Sequence, residues 1–108
     1  MTSDRDQALA MLQGQLDELD AILKRAQRDL NTVGGSERVA AWKARTTPLL
    51  AAHLGPQDAQ RFSQVRPGPS FTNDLVEELG DEVETYRDFL LSLARQLKTR
   101  GGTITGPA

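Results

Sequence analysis

Five carboxylates fall within eight residues: Glu77, Glu78, Asp81, Glu82 and Glu84. Glu77 with Asp81, and Glu78 with Glu82, are spaced i and i+4 and so share helical faces. Helical bundles build metal sites and acid–base pairs from such faces. A di-metal bundle, however, needs a Glu-x-x-His pair on each of two helices, and the single histidine, His53, stands in no such motif. The chain has no cysteine, which removes disulfides and thiolate metal ligation. Its serines and threonines have no base arranged beside them. Ser36, Ser70 and Thr72 instead fall where helix caps are needed. Neither a Gly-x-Gly-x-x-Gly fingerprint nor a phosphate loop occurs. The sequence therefore assigns no catalytic, cofactor-binding or metal-binding residues, and the chain reads as non-enzymatic. The carboxylates read as a solvated helix face, with Glu78, Asp81 and Glu82 as candidates for steering a basic protein partner.

Two other clusters are candidates for partner contact. Trp42-Lys43-Ala44-Arg45 sets an indole beside two bases. Such a ring can stack on a base or a partner side chain, or it can anchor the core while Lys43 and Arg45 face water. Arg66 and Phe71 flank a stiff Pro67-Gly68-Pro69 turn, with Phe71 either plugging the bundle end or presented to a partner. Together with Arg61, these bases give the alternative reading, nucleic-acid or nucleotide binding through Trp42, Lys43, Arg45, Arg61 and Arg66. Steep salt dependence would mark that activity. His53 shares a face with Leu49, Leu50 and Leu54 and reads as a packed or hydrogen-bonded side chain.

The elements that must position these residues are helices. Leu9, Leu12, Leu16, Leu19, Leu23, Ala26, Leu30 and Val33 recur at spacings of three and four, as do Val76, Leu79, Val83, Tyr86, Leu90, Leu93 and Leu97. Narrow apolar seams of this kind exist to meet other helices. The first helix is expected from about Asp6 to Asn31, capped by Ser3 or Asp4, with Gly14 inside it and Gly34-Gly35 as its stop. Ser36 then caps a second helix, in which Pro48 predicts a kink. Gly55-Pro56 separates it from a short third helix over 57–65. Thr72 or Asn73 caps a last helix that Gly101-Gly102 ends. The expectation is an all-α antiparallel bundle of three main helices plus one short one, a single domain over 1–102, with 103–108 a disordered tail.

Length and composition agree with that architecture. The chain has 108 residues, 38% apolar and 26% charged, with a formal net charge of -2. A domain this small buries a modest core and gains from a partner. The charge is unevenly placed. Asp74 to Asp88 holds seven acids and one base, and Glu37 to Arg66 holds five bases against two acids, so the two stretches are expected to attract each other. No apolar run reaches the length of a membrane span, and a cytoplasmic location is expected. Surplus seam over Leu9–Leu16 predicts self-association, most simply a dimer.

With the helices placed, three stretches resemble a known kind of module. They are Arg38-x-x-x-Trp42-Lys43-x-Arg45-Thr46, Arg66-x-Gly68-x-Ser70-Phe71, and Asp81-Glu82-Val83-x-x-Tyr86-x-x-Phe89-Leu90. The chain resembles small helical modules found ahead of TIR-like or other nucleotide-binding effector domains in bacterial defence proteins. The resemblance implies an accessory or sensing role, an effector subunit as partner, and no catalytic residue here. The resulting expectation is an adaptor or regulatory protein–protein interaction module.

Overall fold

The computed structural model describes residues 3–68 and 74–105, those beyond Thr99 by backbone alone. It contains four helices: α1 (Asp4–Asp29), α2 (Thr32–Leu54), α3 (Pro56–Ser63) and α4 (Leu75–Thr105). No strand occurs among the described residues. The all-α bundle expected from the two seams is the observed fold. Ser70, Phe71, Thr72 and Asn73 lie outside the described residues.

Each helix boundary has a local chemical cause. Ser3 caps α1, its Oγ accepting from the Asp6 N–H at 3.0 Å. Asp74 caps α4, its Oδ1 accepting from the Val76 N–H at 2.9 Å, so an acid takes the role expected of Thr72 or Asn73. Gly55, at φ 104°, ends α2 in a conformation that favours glycine, and Pro56 opens α3. Pro48 sits inside α2, which runs unbroken to Leu54. Both Pro48 and Ala44, whose carbonyl loses its helical donor, are exposed, so water can satisfy that carbonyl. α4 likewise continues through Gly101 and Gly102 to Thr105. Glycine weakens a helix interior without forbidding it. Of the expected tail, 103–105 are therefore helical, and 106–108 lie outside the described residues.

The α1–α2 turn departs most from expectation. α1 stops at Asp29, and Leu30 takes the left-handed conformation at φ 53°, ψ 35° while its N–H donates to the Ala26 carbonyl. Asn31 caps α2, with Oδ1 accepting from the Gly34 N–H at 3.0 Å. Only two residues, Leu30 and Asn31, separate the helices. Gly34 and Gly35 are the first turn of α2 and not a stop, and Ser36 lies within the helix. Both glycines are there for room. A β-carbon on Gly34 would come 2.5 Å from Asn31 Nδ2, and one on Gly35 would come 2.7 Å from Ala26 Cβ and 2.8 Å from Leu79 Cδ2.

Gly35 also fixes the topology. The start of α2 meets the end of α1 and the start of α4, so α2 and α4 begin at one end of the bundle. Both run antiparallel to α1 and pack on it, and α3 folds back on α2. Leu12, Leu19 and Ala26 of α1 are buried, as are Leu79, Val83, Tyr86, Leu90 and Leu93 of α4. Ala8, outside the expected seam, is buried too. Leu30 and Val33 are not: they are 78% and 68% exposed, because the chain has turned before it reaches them.

Two glycine substitutions should therefore move stability in opposite directions. Gly35→Ala forces a β-carbon into the three-helix junction and should destabilise by about 1–3 kcal/mol. Gly14 is exposed within α1 and a β-carbon there would meet nothing within 4 Å. Gly14→Ala should stabilise by up to about 1 kcal/mol. Thermal or urea denaturation of the two variants checks the contrast.

Candidate functional site

Trp42 belongs to the interior. It is fully buried, its ring 5.8 Å from Phe62 in an edge-to-face arrangement and 6.0 Å from Tyr86. Phe89 extends the cluster, 5.7 Å from Phe62. The indole N–H donates to the Gln15 carbonyl of α1 at 3.0 Å. One turn on, Thr46 Oγ1 donates to Gln15 Oε1 at 2.8 Å. Trp42 is thus a core anchor and not a partner contact, because every face of the ring is covered and its one polar group is bonded.

The basic candidates are occupied within the chain. Lys43 Nζ donates to the Val65 carbonyl at 2.8 Å and lies 4.8 Å from the centre of the Tyr86 ring. Arg66 donates to the Ser63 and Val65 carbonyls at 2.7 and 2.9 Å. Arg61 pairs with Asp58 at 3.2 Å and stacks over Phe89. Arg45 pairs with Glu18 of α1 at 3.6 Å. The expected attraction between the basic middle and acidic α4 appears as no direct ion pair among the described residues. Lys43, Arg61 and Arg66 thus tie α3 and its exit to α2 and the aromatic cluster, while Arg45, Arg61 and Arg66 remain exposed. Phe71 lies outside the described residues. His53 is exposed in the last turn of α2, where its ring faces water near the helix carbonyls instead of packing.

The acidic candidates lie together on the first turns of α4. Glu78 and Asp81 are exposed and Glu82 is half-buried. Glu78 and Glu82 line a cavity of about 190 Å³ between α2 and α4, together with Thr32, Val33, Ser36, Leu75 and Leu79. Val33 and Leu75, on opposite walls, are 68% and 60% exposed. Sequence reasoning found the acids but missed this apolar pair. Val33 had been placed on α1's seam, and Leu75 precedes the α4 seam. Asp81 is absent from the lining.

Burial pushes the Glu82 carboxyl above the usual glutamate range. Glu78 adds to that shift and Lys43 opposes it. Burial, with Arg66 assisting and Glu82 opposing, lowers the Lys43 ammonium. Burial also raises the Tyr86 phenol, with Glu82 adding and Arg66 opposing. Glu82 and Lys43 feel each other across the α2–α4 gap without closing it. No set of three His, Cys, Asp or Glu side chains able to hold a metal occurs among the described residues. None of those residues leaves a buried side-chain nitrogen or oxygen without a partner. What the arrangement offers is an apolar groove with charged walls.

The Glu82 shift has a sign that can be measured. The fold holds the Glu82 proton more tightly than the unfolded chain does. Its contribution to stability therefore falls as pH rises from the ordinary value of 4.5 through the elevated one, and above that the penalty is constant. Glu82→Gln should raise the melting temperature at pH 7 and flatten the melting-temperature profile just above pH 4.5, relative to wild type.

No helix among the described residues is long and apolar enough to cross a membrane. No characterised protein family, curated protein or solved structure matches this chain.

Proposed function

We propose that the protein is a non-enzymatic protein–protein interaction module whose docking surface is the end of the bundle where α2 and α4 begin. One observation carries this reading. Three of the four exposed large apolar side chains among the described residues, Leu30, Val33 and Leu75, gather at that end, two of them lining a groove walled by Glu78 and Glu82. The fourth, Leu91, stands apart on α4 at 39% exposure. Along the Leu9–Leu16 stripe Leu12 is buried and Leu9 and Leu16 are half-buried, less exposed than Leu30, Val33 and Leu75. An apolar cluster beside fixed charge is how a protein surface obtains affinity and orientation together. The leucines and the valine supply burial, roughly 1.5–3 kcal/mol for each side chain that passes fully from water, and the carboxylates steer encounter.

An adaptor or regulatory role beside an effector in bacterial defence, in the cytoplasm, is part of this proposal. Its support is the resemblance over Arg38–Thr46 and Asp81–Leu90. Trp42, Tyr86 and Leu90 within those stretches are core residues of α2 and α4.

The test separates surface from fold. Val33→Asp with Leu75→Asp should change stability little, since both side chains face water and surface changes stay within about 0.5 kcal/mol. Proteins that co-purify with the wild-type chain, and are identified by mass spectrometry, should be lost with the double variant. Glu78→Lys with Glu82→Lys should slow association most at low salt, where screening is weakest. Unchanged recovery with Val33→Asp/Leu75→Asp sinks the assignment of this end.

A further inference from the structure

Leu30 combines three properties that the fold does not use. Its backbone lies in the left-handed region, φ 53° and ψ 35°, which disfavours side chains other than those of Asn and Asp. It is 78% exposed, more than any other large apolar side chain described. It occupies the position after a helix where Gly or Asn serves best. Its structural duty is carried by the backbone, the N–H bonded to the Ala26 carbonyl, and any residue supplies that. A leucine here is worse for the fold than glycine and contributes no burial in return.

Position gives it a use. Leu30 stands three residues before Val33, at the end of the bundle where Leu75, Glu78 and Glu82 border the groove. The two-residue turn holds it rigidly, since Asn31 is bonded on both sides, through its N–H to the Ala26 carbonyl at 3.1 Å and through its carbonyl to the Gly35 N–H at 3.0 Å. An exposed apolar side chain carried on a backbone held in this way can be buried by a partner with little further loss of backbone freedom.

We infer that Leu30 is the apolar anchor of this docking surface, and that the occupant is a cationic apolar segment of a different protein. The inference rests on the reading of this end as a docking surface. The sign of the partner follows from Glu78 and Glu82. A second copy docked with this groove on the two-fold axis would bring two such carboxylate pairs close together, whereas lysines or arginines flanking an apolar stripe would meet them favourably.

The full-length chain, immobilised, can select binders from a displayed library of random peptides of about 16 residues. The expected consensus is apolar residues at helical spacing among lysines and arginines. Leu30→Asn and Leu30→Gly should each weaken the selected peptides at least tenfold while leaving the melting temperature unchanged or higher. A lower melting temperature would make Leu30 structural and overturn the inference. So would full affinity in both variants. If Val33→Asp/Leu75→Asp abolishes binding while Leu30→Asn does not, the docking surface stands and the anchor falls. An acidic or uncharged consensus overturns the partner's chemistry alone. A concentration-dependent dimer broken by Leu30→Asn gives the surface to a second copy and overturns the cationic partner. Failure to select any binder, or selected binders indifferent to all of these variants, overturns both readings.

Discussion

The indole of Trp42 is the point at which all four helices meet. Its N–H reaches across to the Gln15 carbonyl of α1, its ring edges against Phe62 of α3 and Tyr86 of α4, and Thr46, one turn along α2, bonds the Gln15 side chain. In a chain this short the apolar area available is limited, so large aromatic side chains carry a disproportionate share of it. The two bonds to Gln15 do something the rings cannot. Apolar contact tolerates sliding, but a buried donor displaced from its acceptor incurs its full desolvation cost. The Trp42–Gln15–Thr46 contact therefore sets the register of α2 on α1. With that register fixed, Gly35 falls opposite Ala26, and α4 can approach closely enough for Leu79 to seal the junction.

The architecture was legible because it depends on periodicity. Leu12, Leu19, Leu79, Val83, Leu90 and Leu93 read as core from spacing alone and are core. The α1–α2 turn was not, and the reason is specific. Leu30 and Val33 extend the three-and-four spacing of α1 past the point where the helix ends, and nothing in the spacing marks a backbone that turns left-handed at a leucine. Gly34-Gly35 supplied a competing stop signal. Glycine has two uses, conformational freedom and lack of a side chain, and sequence does not say which is in play. Here it is the second. The acidic wall of the groove was legible as charge. Its apolar wall was not, since Val33 reaches the groove only because α1 ends early and the chain has entered α2, and Leu75 precedes the α4 seam.

Charge divides the molecule in the same way. Bases of α2, α3 and the α3 exit make contacts within the chain to carbonyls and rings: Lys43 on Val65 and Tyr86, Arg66 on Ser63 and Val65, Arg61 on Phe89. Lys43 is half-buried, while Arg61 and Arg66 remain exposed. Glu78, in the first turn of α4, serves the helix dipole and with Glu82 lines the groove.

Folding and the proposed recognition therefore draw on different parts of the same helices: the core contacts gather midway along them and the exposed apolar side chains at one end. Around Trp42 polar groups are bonded and apolar ones covered, so a substitution there is expected to act through stability. At the α1–α2 turn the backbone is well bonded, through Leu30, Asn31, Gly34 and Gly35, while the side chains of Leu30 and Val33 are left in water. A turn that needed only to reverse the chain would be built from Asn and Gly and would end in polar side chains. This one reverses the chain with Asn31, spends its glycines on close packing, and places apolar side chains on the outside. Local physical chemistry accounts for the reversal and the packing. It does not account for the leucine and the valine, and it is their exposure that the proposed docking surface would use.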